Sequence, residues 1–199
     1  IPRWIRLSIL RWVLIRLWIL RLLIMLILRY WDHRLGGAAS TTGMLGDMVK
    51  HLMGDSAEVE VLMGPGVDPH LYKATQGDIQ RLSQAQAIVY NGLHLEGKMG
   101  SIFEKLKHQK AVIAAGDMVS PQRLINSTDF AGAHDPHIWF DVSIWVEAMS
   151  GISRELQKLY PGWANYIIQN EINYRSELEE LHNFCITHIN KISKDQRVM

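Results

Sequence analysis

The tripeptide Asp-Pro-His occurs twice in this chain, as Asp68-Pro69-His70 and as Asp135-Pro136-His137. Each copy sits where the periodic pattern of apolar residues breaks, which places both histidines on loops. Imidazole in its neutral form is the commonest side-chain ligand for a transition metal near physiological pH. Proline fixes its own φ and restricts the residue before it, so each histidine leaves its turn in a narrow range of directions. His70 and His137 are therefore the candidate ligands for a divalent metal ion, if the fold brings them together.

Other histidines rank lower. His134, three residues before the second motif, and His94, in Gly92-Leu93-His94-Leu95-Glu96, are expected at the rim of such a site. His33, His51, His108, His182 and His188 fall on polar faces or in the unusual N-terminal segment and are not expected to bind metal. Asp68 and Asp135 have two possible roles: orienting the imidazoles from behind, or holding the turns through backbone N–H groups, the more common use of such residues. No Gly-rich phosphate loop is present, nor any HExxH or GxSxG sequence. Cys185 is the single cysteine, so neither an intrachain disulfide nor a CxxC-type zinc site can form.

The elements that must position these loops alternate between strand and helix. Thr42 can cap a helix carrying Met44, Leu45, Met48, Val49 and Leu52 at spacings of three and four. Ala57 to Met63 alternates as a strand, with Glu58 and Glu60 on one side. Thr75-Gln76-Gly77-Asp78 resembles a capping box and opens a short helix bearing Ile79 and Leu82. Gln86 to Tyr90 reads as a buried strand, Leu95 to Leu106 as a helix, and Lys110 to Ala115 as a further strand. Asp141 can cap a helix reaching Leu159, and a long polar-faced helix is expected over about 162–190. This pattern predicts an α/β fold, a parallel sheet flanked by helices, with ligands beyond the carboxyl ends of the strands.

Charge is distributed unevenly. Residues 1–40 hold seven arginines against one acid, Asp32, whereas residues 41–199 carry 14 basic and 19 acidic side chains. A mildly acidic body argues against nucleic acid as a partner. The first forty residues are apolar but interrupted by Arg6, Arg11, Arg16 and Arg21. Their longest uncharged run, Leu22–Leu28, falls far short of the ~20 residues that span a bilayer. Gly37-Ala38-Ala39 offers small residues for signal cleavage, so two readings stand for the segment: a signal or membrane tether, or an atypical N-terminus that carries no function. The expected organisation is 1–40 as this atypical segment, 41–160 as a metal-binding lobe, and 161–199 as a linking helix.

Three runs carry a family resemblance: Met63-Gly64-Pro65-Gly66-Val67-Asp68-Pro69-His70-Leu71-Tyr72, Tyr90-Asn91-Gly92-Leu93-His94-Leu95-Glu96, and Asp135-Pro136-His137-Ile138-Trp139-Phe140-Asp141. In this order they closely resemble the zinc/manganese solute-binding proteins of ABC transporters, over about residues 41–198. The resemblance implies the N-terminal lobe of a two-lobed extracytoplasmic receptor, periplasmic or tethered to the membrane, followed by a long linking helix. It implies that Zn²⁺ or Mn²⁺ is a transported ligand delivered to a membrane permease, with no bond made or broken. His70 and His137 match two of that family's four ligands. The other two belong to a C-terminal lobe that this chain is expected to lack, ending at Met199 where a new strand is due. The family's first strand has no counterpart in the pattern before Thr41, so a gap is expected at the centre of the sheet. Two rival readings are a surface adhesion or interaction module and a metallohydrolase, the latter requiring Glu96 to point into the cleft as a base.

Overall fold

The computed structural model describes residues 35–127 and 132–197. Up to Arg34, the segment read as a signal or tether lies outside the described residues. Strands β1 (Leu35–Ser40), β2 (Ala57–Val61), β3 (Ala87–Tyr90) and β4 (Ala111–Ala114) form a four-stranded sheet in the order β2-β1-β3-β4. β3 pairs in parallel with β1 and with β4, in registers that include Ala39 opposite Ile88 and Ile88 opposite Val112.

The expected gap does not exist. β1 fills the interior of the sheet, and the small residues read as a cleavage site are its body: Ala38, Ala39 and Ser40 are all buried. Small side chains show no polar alternation, so the strand was invisible to pattern. They are what a strand needs where a helix lies close above it. That helix is α1 (Gly43–Met53), and a Cβ at its Gly46 would collide with Val61 and with Ser40 Oγ.

α2 (Gln76–Gln84) begins in a complete capping box. Thr75 Oγ1 accepts the Asp78 N–H at 3.2 Å, and Asp78 accepts the Thr75 N–H at 2.7 Å. Asp78 also accepts from the Tyr72 hydroxyl at 2.6 Å and pairs with Arg81. Burial opposes its charge, yet the hydrogen bonds from Tyr72, Thr75 and Arg81 outweigh it and hold its pKa far below the usual carboxylate range. Thr42 stands at the N-cap of α1 as expected, but its side chain makes no capping bond there.

α3 covers only Gly100–Lys107. Leu95 and Met99, expected on this helix, lie before it in the loop and a short 3₁₀ turn, yet both are fully buried. Their burial follows the apolar spacing, while the backbone is drawn out of helix by the turn at residues 92–94. Phe103 packs its ring 4.3 Å from that of Tyr90 within the cluster formed by Leu62, Leu82, Ile88 and Met99. Burying each such side chain stabilises the fold by about 1.5–3 kcal/mol.

α4 (Val142–Leu159) is capped by Asp141, whose carboxylate accepts the N–H groups of Ser143 and Ile144. α5 (Ala164–Ile189) rests on α1 and α4 through Ile167, Tyr174 and Leu178. Asn170 Nδ2 donates to Leu52 O at 3.0 Å, and the Tyr174 hydroxyl to Asp47 at 3.1 Å. Beyond Leu178 the helix leaves that surface: Leu181 and Phe184 are 47% and 59% exposed. Among the described residues, no helix is long and apolar enough to cross a membrane.

Candidate metal centre

The carboxyl ends of the strands are stitched together by main-chain bonds that run into their loops. Thr41 N–H donates to Val89 O, Met63 N–H to Thr41 O, and Ala115 and Gly116 N–H to Tyr90 O and Asn91 O. The loop after β2 carries His70, the loop after β3 carries His94, and the long connection after β4 carries His134 and His137. All emerge on one edge of the sheet.

There the two Asp-Pro-His turns meet. His70 Nε2 and His137 Nε2 lie 3.3 Å apart. Two nitrogens bound to one tetrahedral zinc at 2.0–2.1 Å are separated by roughly 3.3–3.4 Å, so the pair is already at ligand spacing. Each turn is built the same way. Asp68 Oδ1 accepts the His70 N–H and Asp135 Oδ1 the His137 N–H, both at 2.9 Å. Asp135 does more: its Oδ1 also lies 2.6 Å from His137 Nδ1. A carboxylate there favours the Nδ1–H tautomer and leaves the Nε2 lone pair free for an ion. The His137 backbone N–H holds the Asp135 carboxyl below its ordinary pKa; burial opposes this, and contact with the ring reinforces it. The Trp139 ring stands edge-on to His137 at 5.2 Å and fixes its other side.

A buried carboxylate organises the base of the site. Glu96 is 4% exposed and accepts from Thr41 Oγ1 at 2.6 Å, Asn91 N–H at 2.8 Å and Gly92 N–H at 3.2 Å. Burial outweighs these three donors and raises its pKa. The Asn91 side chain then reaches across to donate to Pro136 O at 2.9 Å, bracing the second Asp-Pro-His turn. Glu96 therefore points inward, away from the cleft, and is committed to structure. The cross-brace from Asn91 to Pro136, 45 residues on, has no local signal in the sequence.

Gly92, Leu93 and His94 all have positive φ, at 76°, 52° and 67°. For Leu93 and His94 that conformation costs on the order of 1 kcal/mol each. The Leu93 side chain lies so close over Gly116 that a Cβ there would strike it, and this packing offsets part of the strain. The turn leaves His94 exposed on the wall of a cavity shared with His70 and His134. His94 and His134 line that cavity with His70, and no group of three or more His, Cys, Asp or Glu side chains is gathered at metal-binding range among the described residues. His51 stacks on Tyr174 with ring centroids 4.1 Å apart, and His188 bonds back to Phe184 O at 2.8 Å. His108 is exposed, His182 half-exposed, and His33 lies outside the described residues.

Residues 39–199 match the family model described as ZnuA, zinc-uptake complex component A, periplasmic. The chain belongs to the ZnuA family. Two relatives show its breadth. The zinc-binding protein TroA of Treponema pallidum is 38% identical over 162 residues, covering 80% of this chain and 51% of TroA. The manganese-binding lipoprotein MntA of Bacillus subtilis is 36% identical over 160 residues, covering 80% of this chain and 52% of MntA. The solved structure of the periplasmic zinc-binding TroA superposes with a TM-score of 0.78 at 34% identity, covering 83% of this chain and 59% of that one. This ZnuA-family chain thus spans about half the length of the curated relatives it matches, and its parallel sheet and long helix share the fold of the part it covers.

Proposed function

We propose that this chain is the metal-receiving part of an extracytoplasmic receptor that captures Zn²⁺ or Mn²⁺ and hands it to the membrane permease of an ABC importer. The observation that carries this reading is the pair of Nε2 atoms at 3.3 Å, with Asp135 holding one ring in the ligating tautomer. Two neutral imidazoles seize the ion, and its remaining positions stay open to water or to further ligands. The relatives' names, zinc-binding for TroA and manganese-binding lipoprotein for MntA, support the choice of cargo and a place in the periplasm or on a lipid tether. The ion is cargo, and no bond is made or broken. A hydrolytic role would need a base in the cleft, and Glu96 is withdrawn from it by Thr41, Asn91 and Gly92.

Calorimetric titration of the metal-stripped chain tests the reading. Saturable 1:1 binding of Zn²⁺, lost in His70→Ala/His137→Ala, is the expected result. A folded chain that binds neither ion, or a double variant that binds as well as the parent, would sink it. With imidazole donors alone, the affinity order of divalent ions places Zn²⁺ ahead of Mn²⁺.

A further inference from the structure

The loop after β3 reaches both Asp-Pro-His turns. At its start the Asn91 side chain donates to Pro136 O at 2.9 Å, and at its end Lys98 Nζ donates to Leu71 O at 3.3 Å. Each acceptor is the carbonyl of a residue next in sequence to a ligand, Pro136 before His137 and Leu71 after His70. The stretch between the two arms is fixed. Leu95 and Met99 are fully buried, Glu96 is held by Thr41, Asn91 and Gly92, and the Met99 N–H donates to Glu96 O at 2.8 Å. Lys98 thus springs from a 3₁₀ turn whose next residue is anchored in the core.

The loop that carries His70 folds largely on itself. The Val67 N–H donates to Gly64 O at 3.2 Å, the His70 N–H to Asp68 Oδ1 at 2.9 Å and the Leu71 N–H to Asp68 O at 3.3 Å. These bonds shape the loop but connect it to no other element. Lys98 makes such a connection, across 27 residues of chain. Its charge works in the opposite sense, since an ammonium bonded beside His70 repels a divalent cation. What Lys98 gives the site therefore comes through its hydrogen bond. We propose that Lys98 is a positioning residue for metal capture: its bond to Leu71 O sets His70 as the Asn91 bond to Pro136 O sets His137, so that one loop spaces both ligands. The inference rests on the metal-receptor reading.

Calorimetric titration of the full chain, Lys98→Met and Lys98→Arg with Zn²⁺ tests it, at about 0.1 M and about 1 M salt, where the screening length falls from ~10 to ~3 Å. Lys98→Met is expected to bind Zn²⁺ about three- to tenfold more weakly than the parent at both salt concentrations, the effect of one lost hydrogen bond. Lys98→Arg, which keeps a donor of similar reach, should return to within about twofold of the parent. Urea midpoints of the metal-free proteins should coincide, because the Lys98 side chain is exposed. Tighter or equal binding by Lys98→Met would show that only the charge matters and overturn the proposal. So would a loss that disappears at high salt, an equal loss in Lys98→Arg, or a fall in urea midpoint that accounts for the weaker binding. Each of these leaves the receptor reading standing. A folded parent chain that binds no Zn²⁺ overturns the receptor reading, and this inference with it.

Discussion

Asp135 Oδ1 serves His137 twice, accepting its backbone N–H at 2.9 Å and lying 2.6 Å from its ring Nδ1. One carboxylate oxygen thereby sets both the turn and the direction of the His137 ring. Asp68 makes the first of these contacts with His70, and the described structure shows no counterpart of the second. Two identical tripeptides thus hold their histidines with different rigidity.

That asymmetry is measurable. Asp135→Asn keeps an acceptor for the turn but loses the charge behind the ring, and should weaken zinc binding about 10–100-fold. Asp68→Asn should weaken it by less than about threefold, because its carboxylate touches only backbone. Competition titration with a chromophoric chelator reads both, and equal losses would contradict the distinction.

Asn91→Ala removes the donor that braces Pro136 O across 45 residues of chain. Leaving that carbonyl without its partner should cost about 1–3 kcal/mol of stability. Zinc affinity should fall with it, since the second turn loses its fixed distance from the first. Urea denaturation of the metal-free chain gives the first quantity, and a titration of the same sample gives the second.

Glu96 carries a pH signature. Its folded pKa is raised above the ordinary 4.5 by burial, so the folded state binds its proton more tightly than the unfolded chain does. Its favourable contribution is full below the unfolded value and is lost as pH rises through the higher folded one. Glu96→Gln removes that titration. The stability of the variant relative to the parent should therefore improve as pH rises from about 4 into the raised range, and stay level if the carboxyl is not perturbed.

Asp78 behaves in the opposite sense. Its depressed folded pKa gives stability that is fully present above the unfolded value near 3.9 and is lost as pH falls toward the folded one. Asp78→Asn should cost about 2–3 kcal/mol at pH 7, from the capping box and the buried contacts with Tyr72 and Arg81. The difference from the parent should narrow below about pH 4. Denaturation midpoints across pH would show it, and a constant gap would contradict it.

The sequence by itself determined the two ligand candidates, the capping box at Thr75 and Asp78, the Asp141 cap, and the alternation of strands and helices, because each is written in residues close together in the chain. It also carried the family resemblance through short runs in order. It did not disclose β1, since Gly37-Ala38-Ala39-Ser40 has no periodicity, and only its neighbours on both sides make it a strand. Nor did it disclose that Leu95 and Met99 are core residues outside a helix, or that Glu96 faces inward. Those depend on the left-handed turn at residues 92–94 and on donors from Thr41, 55 residues away. The spacing of His70 and His137 belongs to the tertiary structure alone. A ligand pair needs its nitrogens placed to a fraction of an ångström, and only strand ends locked side by side, with Asn91 bridging to Pro136, hold two distant loops that closely.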